Sequence, residues 1–309
     1  MRVRFGLTGP RVPPAALAIG SFDGIHAGHQ EVLRQVRAAA ADLGAVAAWI
    51  TFDPHPRCVL DPANCPPQIT TLDERIELAE RLGLDEAIVV EFSRQLASLP
   101  AAEFMHTVLE VVPVRRLVVG YDFALGRARA GNVPWLREHG RAHGYEVQVV
   151  GAVDVGSKEV HSSEVRRLLT LGEVEHAARL LGRHYTVRGV VERGDRIGST
   201  IGWPTVNLGL PPNKLVPHRG IYAGWARRLA EPGVRLQAAI SVGYRPTFGK
   251  TELRVEAYLL DFRQDLYGER IELEFVARLR DEVAFEGPDD LARAIAQDVA
   301  DVRRVLEGA

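Results

Sequence analysis

The spacing of hydrophobic residues divides the chain into two parts. Up to about Leu181, short apolar runs alternate with stretches whose apolar residues recur at helical spacing. The apolar runs predict five strands: Ala15–Ile19, Val46–Phe52, Ala87–Glu91, Arg116–Gly120 and Tyr145–Val150. The stretches between them predict four helices: Glu31–Leu43, Leu72–Leu82, Ala101–Val111 and Val133–His143. This alternation predicts an α/β domain in which a doubly wound parallel sheet carries helices on both faces.

Beyond Gly182 the pattern changes. Two short helices, Ser163–Leu171 and Glu173–Leu181, precede a series of runs that alternate with period two. These runs predict five strands: Tyr185–Arg193, Ile221–Leu229, Leu236–Tyr244, Leu253–Phe262 and Arg270–Leu279. Strands that follow one another without helices predict an antiparallel barrel, and an apolar stripe after Gly287 predicts a closing helix. We therefore predict two domains, residues 1–182 and 183–309.

Composition narrows the class of protein. The chain has 309 residues with a net charge of −2, so it lacks the basic excess that binding to nucleic acid requires. We also expect no membrane partner and no signal peptide, because no apolar run is long enough for either. Cys58 and Cys65 make a poor disulfide framework. We therefore expect both cysteines to be reduced, as in a cytoplasmic protein.

The segment from Gly20 to Gln30 joins the first predicted strand to the first predicted helix. It places His26 and His29 at a helix N-terminus, where free N–H groups and the helix dipole favour an anion. Gly20, Gly24 and Gly28 would let a phosphate chain lie against the backbone. A glycine-rich turn with two solvent-facing histidines is the alternative. The placement of His-x-Gly-His between a strand and a helix favours a nucleotide-phosphate site over such a turn.

This segment resembles the signature of the HIGH-type nucleotidyltransferases. With Thr51–Pro56, which reads Thr-Phe-Asp-Pro-His-Pro, it resembles the bacterial bifunctional riboflavin kinase/FAD synthetase family. The resemblance implies that Phe22 and Asp23 join the glycines around ATP, while the two histidines assist the departure of pyrophosphate. It also implies a flavin contact for His55, for which a loop histidine held by prolines is the alternative.

Two further segments of the first domain resemble the same family. Gly120–Arg127 contains Gly-Tyr-Asp-Phe, which implies that Asp122 positions Mg²⁺ or the acceptor and that Phe123 touches the flavin ring. A surface turn is the alternative reading. Each of His26, His55 and Asp122 follows a predicted strand, at the sheet edge where such folds bind ligands.

His161–Arg166 resembles the family's serine-rich segment. The resemblance implies that Ser162 and Ser163 bind phosphate and that Arg166 contacts the transferring group. A plain helix N-cap explains the serines equally well. Many family members have a second arginine where Glu164 stands, which is a departure.

The second domain carries its own set of motifs. Gly198–Asn207 resembles the riboflavin-kinase motif, although Ser199 stands where family members often have arginine. Thr205 and Asn207 lie two apart on an extended segment, so both side chains can reach one Mg²⁺–ATP. Glu256 matches the family's catalytic base; from the strand pattern alone it would be a solvent-facing residue.

Leu279–Phe285 resembles the family's flavin-side loop, which implies flavin contacts for Arg280 and Glu282. His139 and His143 lie four apart on a predicted helix, where surface histidines are a better reading than zinc ligands.

Taken over the whole chain, the resemblance implies a bifunctional enzyme that makes FMN from riboflavin and FAD from FMN. Its ligands would be riboflavin, FMN, FAD and ATP with Mg²⁺, with no tightly bound prosthetic group, and a homo-oligomer is left open. Another HIGH-type nucleotidyltransferase would explain only the first domain. A non-catalytic flavin-binding protein would leave Glu256, His26 and His29 without a role.

Overall fold

The structure is a computed structural model and describes residues 1–156, 158–194, 202–247, 250–283, 285 and 287–308. The chain forms two compact units, Met1–Ser162 and Ser163–Ala309. The second unit begins with two helices that the sequence interpretation assigned to the first domain. The predicted boundary at Gly182, between two activities, stays a prediction.

The first unit is built on a parallel sheet of six strands. Their order across the sheet is β1-β4-β3-β2-β5-β8. The strands are β1 (Arg2–Phe5), β2 (Ala15–Ile19), β3 (Val46–Asp53), β4 (Glu86–Glu91), β5 (Val114–Gly120) and β8 (Glu146–Val150). Two-stranded pieces are formed by β6 (Ala124–Leu125) with β7 (Gly131–Asn132), and by β9 (Asp154–Val155) with β10 (Lys158–Glu159).

Six helices belong to the described part of this unit. They are α1 (Ala27–Leu43), α2 (Pro56–Leu60), α3 (Leu72–Arg81), α4 (Arg94–Ser98), α5 (Ala101–Val111) and α6 (Val133–His143). Alternate residues of the central strands face opposite sides. Leu17 and Ile50 pack with residues of α5 and α6 such as Met105, whereas Ala18 and Trp49 pack with residues of α1 and α3. The doubly wound sheet predicted from the sequence is confirmed.

Helix α7 (Ser162–Thr170) starts at the last residue of the first unit and otherwise belongs to the second, which continues with α8 (Val174–Leu181) into a closed barrel. The strand order around the barrel is β11-β12-β15-β14-β13-β16, and every neighbouring pair is antiparallel. The strands are β11 (Tyr185–Glu192), β12 (Thr205–Gly209), β13 (Gly220–Arg228), β14 (Arg235–Thr247), β15 (Lys250–Leu259) and β16 (Arg270–Arg280). The closing helix α9 (Pro288–Glu307) packs Val299, Val302 and Leu306 against the barrel.

The barrel and its closing helix are therefore confirmed, with one strand more than the pattern predicted. The additional strand is β12, which begins at Thr205 and lies between β11 and β15. It was not counted among the strands because Thr-Val-Asn-Leu-Gly has only five residues, two of them apolar. Among the described residues, no helix has the length and apolar character needed to span a membrane.

The two cysteines are joined, contrary to the expectation of reduced thiols. Cys58 lies on α2, and Cys65 follows a single 3₁₀ turn at Pro62–Asn64. That turn reverses the chain and brings the two Cα atoms to 4.2 Å. The pair closes a local loop rather than forming a framework of several bridges.

Candidate active sites

A cavity of about 720 Å³ opens at the carboxyl ends of β2, β3 and β5 in the first unit. This is the edge at which open parallel sheets bind ligands. The structure brings eight of the predicted site residues into its wall. They are Gly20, Phe22, His26, Gly28, His29, Asp122, Phe123 and Ser162.

The two histidines are held together at the start of α1. The helix begins at Ala27, four residues earlier than predicted, because the side chain of His26 acts as its N-cap. His26 Nδ1 accepts a hydrogen bond from His29 N at 3.4 Å, and the two imidazole rings stack with centroids 3.7 Å apart. Phe22 contacts His29 edge to face. The imidazoles thus meet at the positive end of the helix dipole, where they can donate to a polyanion.

Asp23 is buried and its carboxylate faces a neighbouring segment of backbone. It accepts hydrogen bonds from Ile69 N at 3.1 Å and from Thr70 N at 2.9 Å. The backbone carbonyl of Asp23 accepts a hydrogen bond from Ser162 Oγ, and Gly24 N donates to Thr70 Oγ1. Asp23 and Gly24 therefore shape the loop, and a direct contact of either residue with ATP stays a prediction.

The flavin residues predicted for the first unit lie around the same cavity. His55 is the N-cap of α2 and accepts a hydrogen bond from Arg57 N, next to Pro56 in the cavity wall. Phe123 packs against the core, and the carbonyl of Asp122 accepts a hydrogen bond from Arg129. Flavin contacts by these residues stay predictions.

Tyr121 and Glu159 also line this cavity and were missed in the sequence. The Tyr121 hydroxyl donates a short hydrogen bond to Glu159, which raises the pKa of Tyr121 to about 12. His161 Nε2 lies 3.5 Å from the same carboxylate. No spacing rule joins residues so far apart in the chain, although Tyr121 precedes Asp122 within the quoted motif.

Ser163 and Arg166 lie on α7 and belong to the second unit. Ser163 is exposed and Arg166 is half-buried. Glu164, which departs from the family pattern, pairs with Arg167 through two hydrogen bonds of 2.8 and 2.9 Å. The phosphate roles of Ser163 and Arg166 stay predictions.

Three residues predicted for the kinase site meet across two adjacent strands of the barrel. Asn207 on β12 is paired with Glu256 on β15, and Thr205 Oγ1 donates to Glu256 Oε2 at 3.2 Å. Among the described residues, buried Asn207 Oδ1 has no hydrogen-bond partner. Gly194 passes so close that an added Cβ would lie 2.3 Å from the Asn207 amide. The predicted position Ser199 lies outside the described residues, as do the rest of 195–201 and the pair 248–249.

This oxygen-rich arrangement fits a magnesium ion. Mg²⁺ prefers oxygen ligands and usually keeps several waters and substrate phosphates in its shell. Thr205 and Asn207 offer two neutral oxygens, one of them buried and otherwise unsatisfied. Two protein oxygens beside a triphosphate are sufficient for such a site.

Arg280 is the last residue of β16, and Glu282 lies two residues beyond it. Arg280 makes a bidentate pair with buried Asp298 of α9, at 2.7 and 2.6 Å. Glu282 lies over Gly243, where an added Cβ would come within 2.2 Å of its Oε1. Asp298 was missed in the sequence, yet it lies next to Val299, three residues after Ile295 and four before Val302, on the apolar side of the helix. A charged residue at that position was the available signal.

Two family models match the chain in sequence order. The one described as FAD synthetase covers residues 10–164, and the one described as riboflavin kinase covers residues 181–306. This chain belongs to the bifunctional riboflavin kinase/FMN adenylyltransferase family. The predicted family, with its place in flavin-cofactor biosynthesis, is confirmed.

Relatives in several bacteria carry this name, and this chain is similar to them over about nine tenths of their length. The bifunctional riboflavin kinase/FMN adenylyltransferase of Listeria monocytogenes is 35% identical, over 93% of this chain and 91% of the relative. That of Escherichia coli K12 is 32% identical, over 91% of this chain and 90% of the relative. A crystal structure from Streptococcus pneumoniae, described as a macrolide-efflux protein, is 30% identical with a TM-score of 0.88, and covers 97% of this chain and 98% of its own.

Proposed function

We propose that this bifunctional enzyme phosphorylates riboflavin with MgATP in its second unit and adenylylates FMN in its first unit. The observation that carries the kinase assignment is the meeting of Thr205, Asn207 and Glu256 across β12 and β15. The adenylylation assignment is supported by stacked His26 and His29 in the wall of the cavity.

In the kinase reaction, Glu256 takes the proton of the ribityl 5′-hydroxyl as that oxygen attacks the γ-phosphorus of ATP. Thr205 and Asn207 hold the Mg²⁺ of MgATP, which neutralises charge on the phosphates when bound. Arg280 and Glu282 contact the flavin, and buried Asp298 keeps the Arg280 guanidinium oriented. ADP leaves and FMN is formed.

In the adenylylation reaction, an oxygen of the FMN phosphate attacks the α-phosphorus of ATP and pyrophosphate departs. His26 and His29 donate to the β- and γ-phosphates, where charge develops. Gly20, Gly24 and Gly28 let the phosphates approach the backbone. Phe22 and Asp23 belong to the same ATP-binding loop. We assign phosphate contacts to Ser162, Ser163 and Arg166 as well. His55, Asp122 and Phe123 hold the flavin, and no covalent enzyme intermediate is needed.

The ligands are thus riboflavin, FMN, FAD and ATP with Mg²⁺, without a tightly bound prosthetic group, a nucleic-acid partner or a membrane partner. We also propose a cytoplasmic location and leave the oligomeric state open. The disulfide between Cys58 and Cys65 argues against a cytoplasmic location, because disulfides are rare in that compartment.

The test is an assay of the purified chain with riboflavin and MgATP, in which chromatography separates FMN from FAD. We expect both products, and we expect a chelator of divalent metals to abolish FMN formation. Absence of both products under oxidising and reducing conditions would favour a flavin-binding protein without catalysis. If the chain makes FMN from riboflavin but makes no FAD, even when FMN is supplied, only the kinase part of the proposal would remain.

A further inference from the structure

The loop between β2 and α1 is held in a strained conformation. Phe22 has a φ of 49° and Ile25 a φ of 36°, in the left-handed region that side chains rarely adopt. Both are buried, and Phe22 contacts His29. Strained residues persist only where the surrounding structure holds them in place. Since the loop leads directly into His26 and His29, whatever holds it also places the imidazoles.

One support for this loop is the guanidinium of Arg75 on α3. The side chain of Arg75 is only 2% exposed. Its Nη1 donates to the carbonyl of Ser21 at 2.8 Å, to Thr51 Oγ1 at 2.9 Å and to the carbonyl of Phe52 at 3.1 Å. Ser21 and Phe52 both line the cavity. A single nitrogen therefore ties the start of the strained loop to the carboxyl end of β3.

A second support comes from Thr70, just before α3. Its Oγ1 accepts from Gly24 N at 2.8 Å and lies 3.1 Å from Asp23 Oδ1, to which it donates. Thr70 is also buried. Along the chain these contacts follow Phe22, whereas the contact of Arg75 with Ser21 precedes it. One segment, residues 70–75, thus holds the strained loop before and after Phe22.

A buried cation is an expensive way to build a fold. Burial lowers the pKa of Arg75, while the charges of Asp23 and Asp53 oppose that shift. An apolar side chain of similar size could fill the same volume without the cost of removing a charge from water. Because Arg75 donates to the carbonyl oxygens of two residues that line the cavity, geometry rather than stability explains this residue.

We propose that Arg75 and Thr70 are positioning residues for adenylyl transfer. They hold the loop of residues 20–26 so that His26 and His29 meet the departing pyrophosphate. Neither residue touches the reacting atoms. This inference rests on the proposed roles of the two histidines.

The first experiment compares Arg75→Met with Arg81→Met in the full-length chain. Arg81 lies on the same helix but is exposed and pairs with Glu77, four residues earlier. We expect Arg75→Met to lower kcat for FMN-to-FAD conversion by about 10- to 100-fold, because a small displacement of catalytic groups costs that much. The KM for ATP should change less than kcat. Riboflavin-to-FMN turnover of the same preparation should stay at the wild-type rate, as should both activities of Arg81→Met.

A double-mutant cycle with His26→Ala tests whether Arg75 acts through the histidine loop. If it does, adding Arg75→Met to His26→Ala costs much less than Arg75→Met alone. Fully additive losses, or an Arg75→Met enzyme as fast as Arg81→Met, would overturn the inference while leaving a slow His26→Ala enzyme in agreement with the proposed function. A His26→Ala enzyme at the wild-type rate would remove both.

Two milder variants decide the question if the first unit of Arg75→Met does not fold, which a loss of helical circular dichroism relative to Arg81→Met would show. Arg75→Lys keeps the charge, and its ammonium group has three N–H donors, whereas Nη1 shares two hydrogens among three acceptors. It should restore most of the FAD-forming kcat. Thr70→Val keeps the shape but loses the hydroxyl, and should lower that kcat by about tenfold. Thr70→Val at the wild-type rate together with an impaired Arg75→Lys would reject the inference.

Discussion

Glu256 lies directly opposite Asn207 in the antiparallel pair of β12 and β15, and its Oε2 accepts a hydrogen bond from Thr205 Oγ1. Side chains that are opposite each other in such a pair share one face of the sheet. A carboxylate, a hydroxyl and a side-chain amide are therefore gathered on two strands, in a unit separate from the one whose cavity contains the histidines. The two activities can be tested independently on one chain.

The first prediction concerns the proposed base of the kinase. Glu256→Gln keeps the shape of the side chain but cannot accept a proton, so riboflavin-to-FMN turnover should fall by about 10²- to 10⁴-fold. Binding of riboflavin and ATP should survive, because a base acts mainly in the transition state. FMN-to-FAD turnover, measured on the same preparation, is the control. Kinase turnover near the wild-type rate would show that another group is the base, with Asp261 the next candidate.

The second prediction concerns the histidines of the first unit. Replacing either His26 or His29 by Ala should remove about 3 kcal/mol of transition-state stabilisation, or on the order of a hundredfold in FAD formation. FMN formation from riboflavin should hardly change. The measurement follows both products from each variant. Equal losses of the two activities would indicate a role for the histidines in folding instead.

The third prediction concerns where the chain can be divided. A fragment of residues 163–309 keeps α8, whose Leu180 and Leu181 are buried and whose Glu175 accepts a hydrogen bond from Arg278 N. It should make FMN and no FAD. A fragment of residues 183–309 should also make FMN, but with a free energy of unfolding lower by about 3 kcal/mol or more, because both leucines are lost.

Urea unfolding of the two fragments, followed beside their FMN production, measures this difference. Equal unfolding midpoints would mean that α8 adds nothing to the barrel. A folded 163–309 fragment that cannot phosphorylate riboflavin would mean that the kinase requires the first unit.

The fourth prediction concerns pH and the rings of α6. His139 stacks between Trp135 and His143, and its Nδ1 lies 2.8 Å from the Tyr145 hydroxyl. Burial, and then the charge of His143, lower the pKa of His139. As the pH falls, the unfolded chain therefore binds this proton before the folded chain does. The stabilisation is present above about pH 6.5 and is lost as the pH falls through the lower folded pKa.

Melting temperatures between about pH 8 and pH 5 should accordingly fall more steeply for the wild type than for His139→Gln, which does not titrate. Exposed His106 on α5 provides the matched control, and His106→Gln should follow the wild type. Parallel curves for all three proteins would contradict the prediction.

Most of the fold could be predicted because the buried faces of helices and strands require apolar residues at regular spacing. Strand β2 and helices α5 and α6 have the bounds predicted from that pattern. Strand β1 was missed because it lies at the edge of the sheet, where Val3 and Phe5 remain 41% and 70% exposed and alternate with arginines. An edge strand leaves too little buried surface to produce a recognisable run.

The site was predictable where its residues lie within one motif, and not where they meet through the fold. His26 and His29 are three positions apart and can be read together. Arg75 contacts Ser21, which is 54 positions away, and Arg280 contacts Asp298 on the closing helix. Partners at such separations are chosen by the packing of whole elements, which no local spacing encodes.

The two units differ in what their strands leave open to another molecule. In the barrel β11 pairs with β16 as well as with β12, so the ring closes and each strand has a neighbour on both sides. In the described part of the first unit the sheet instead ends at β1 and β8. Open strand edges are templates for adding strands from other chains. Aggregation of concentrated or partly unfolded protein should therefore begin at the ends of the parallel sheet, where the shortness of β1 and the charges of Arg2 and Arg4 oppose it.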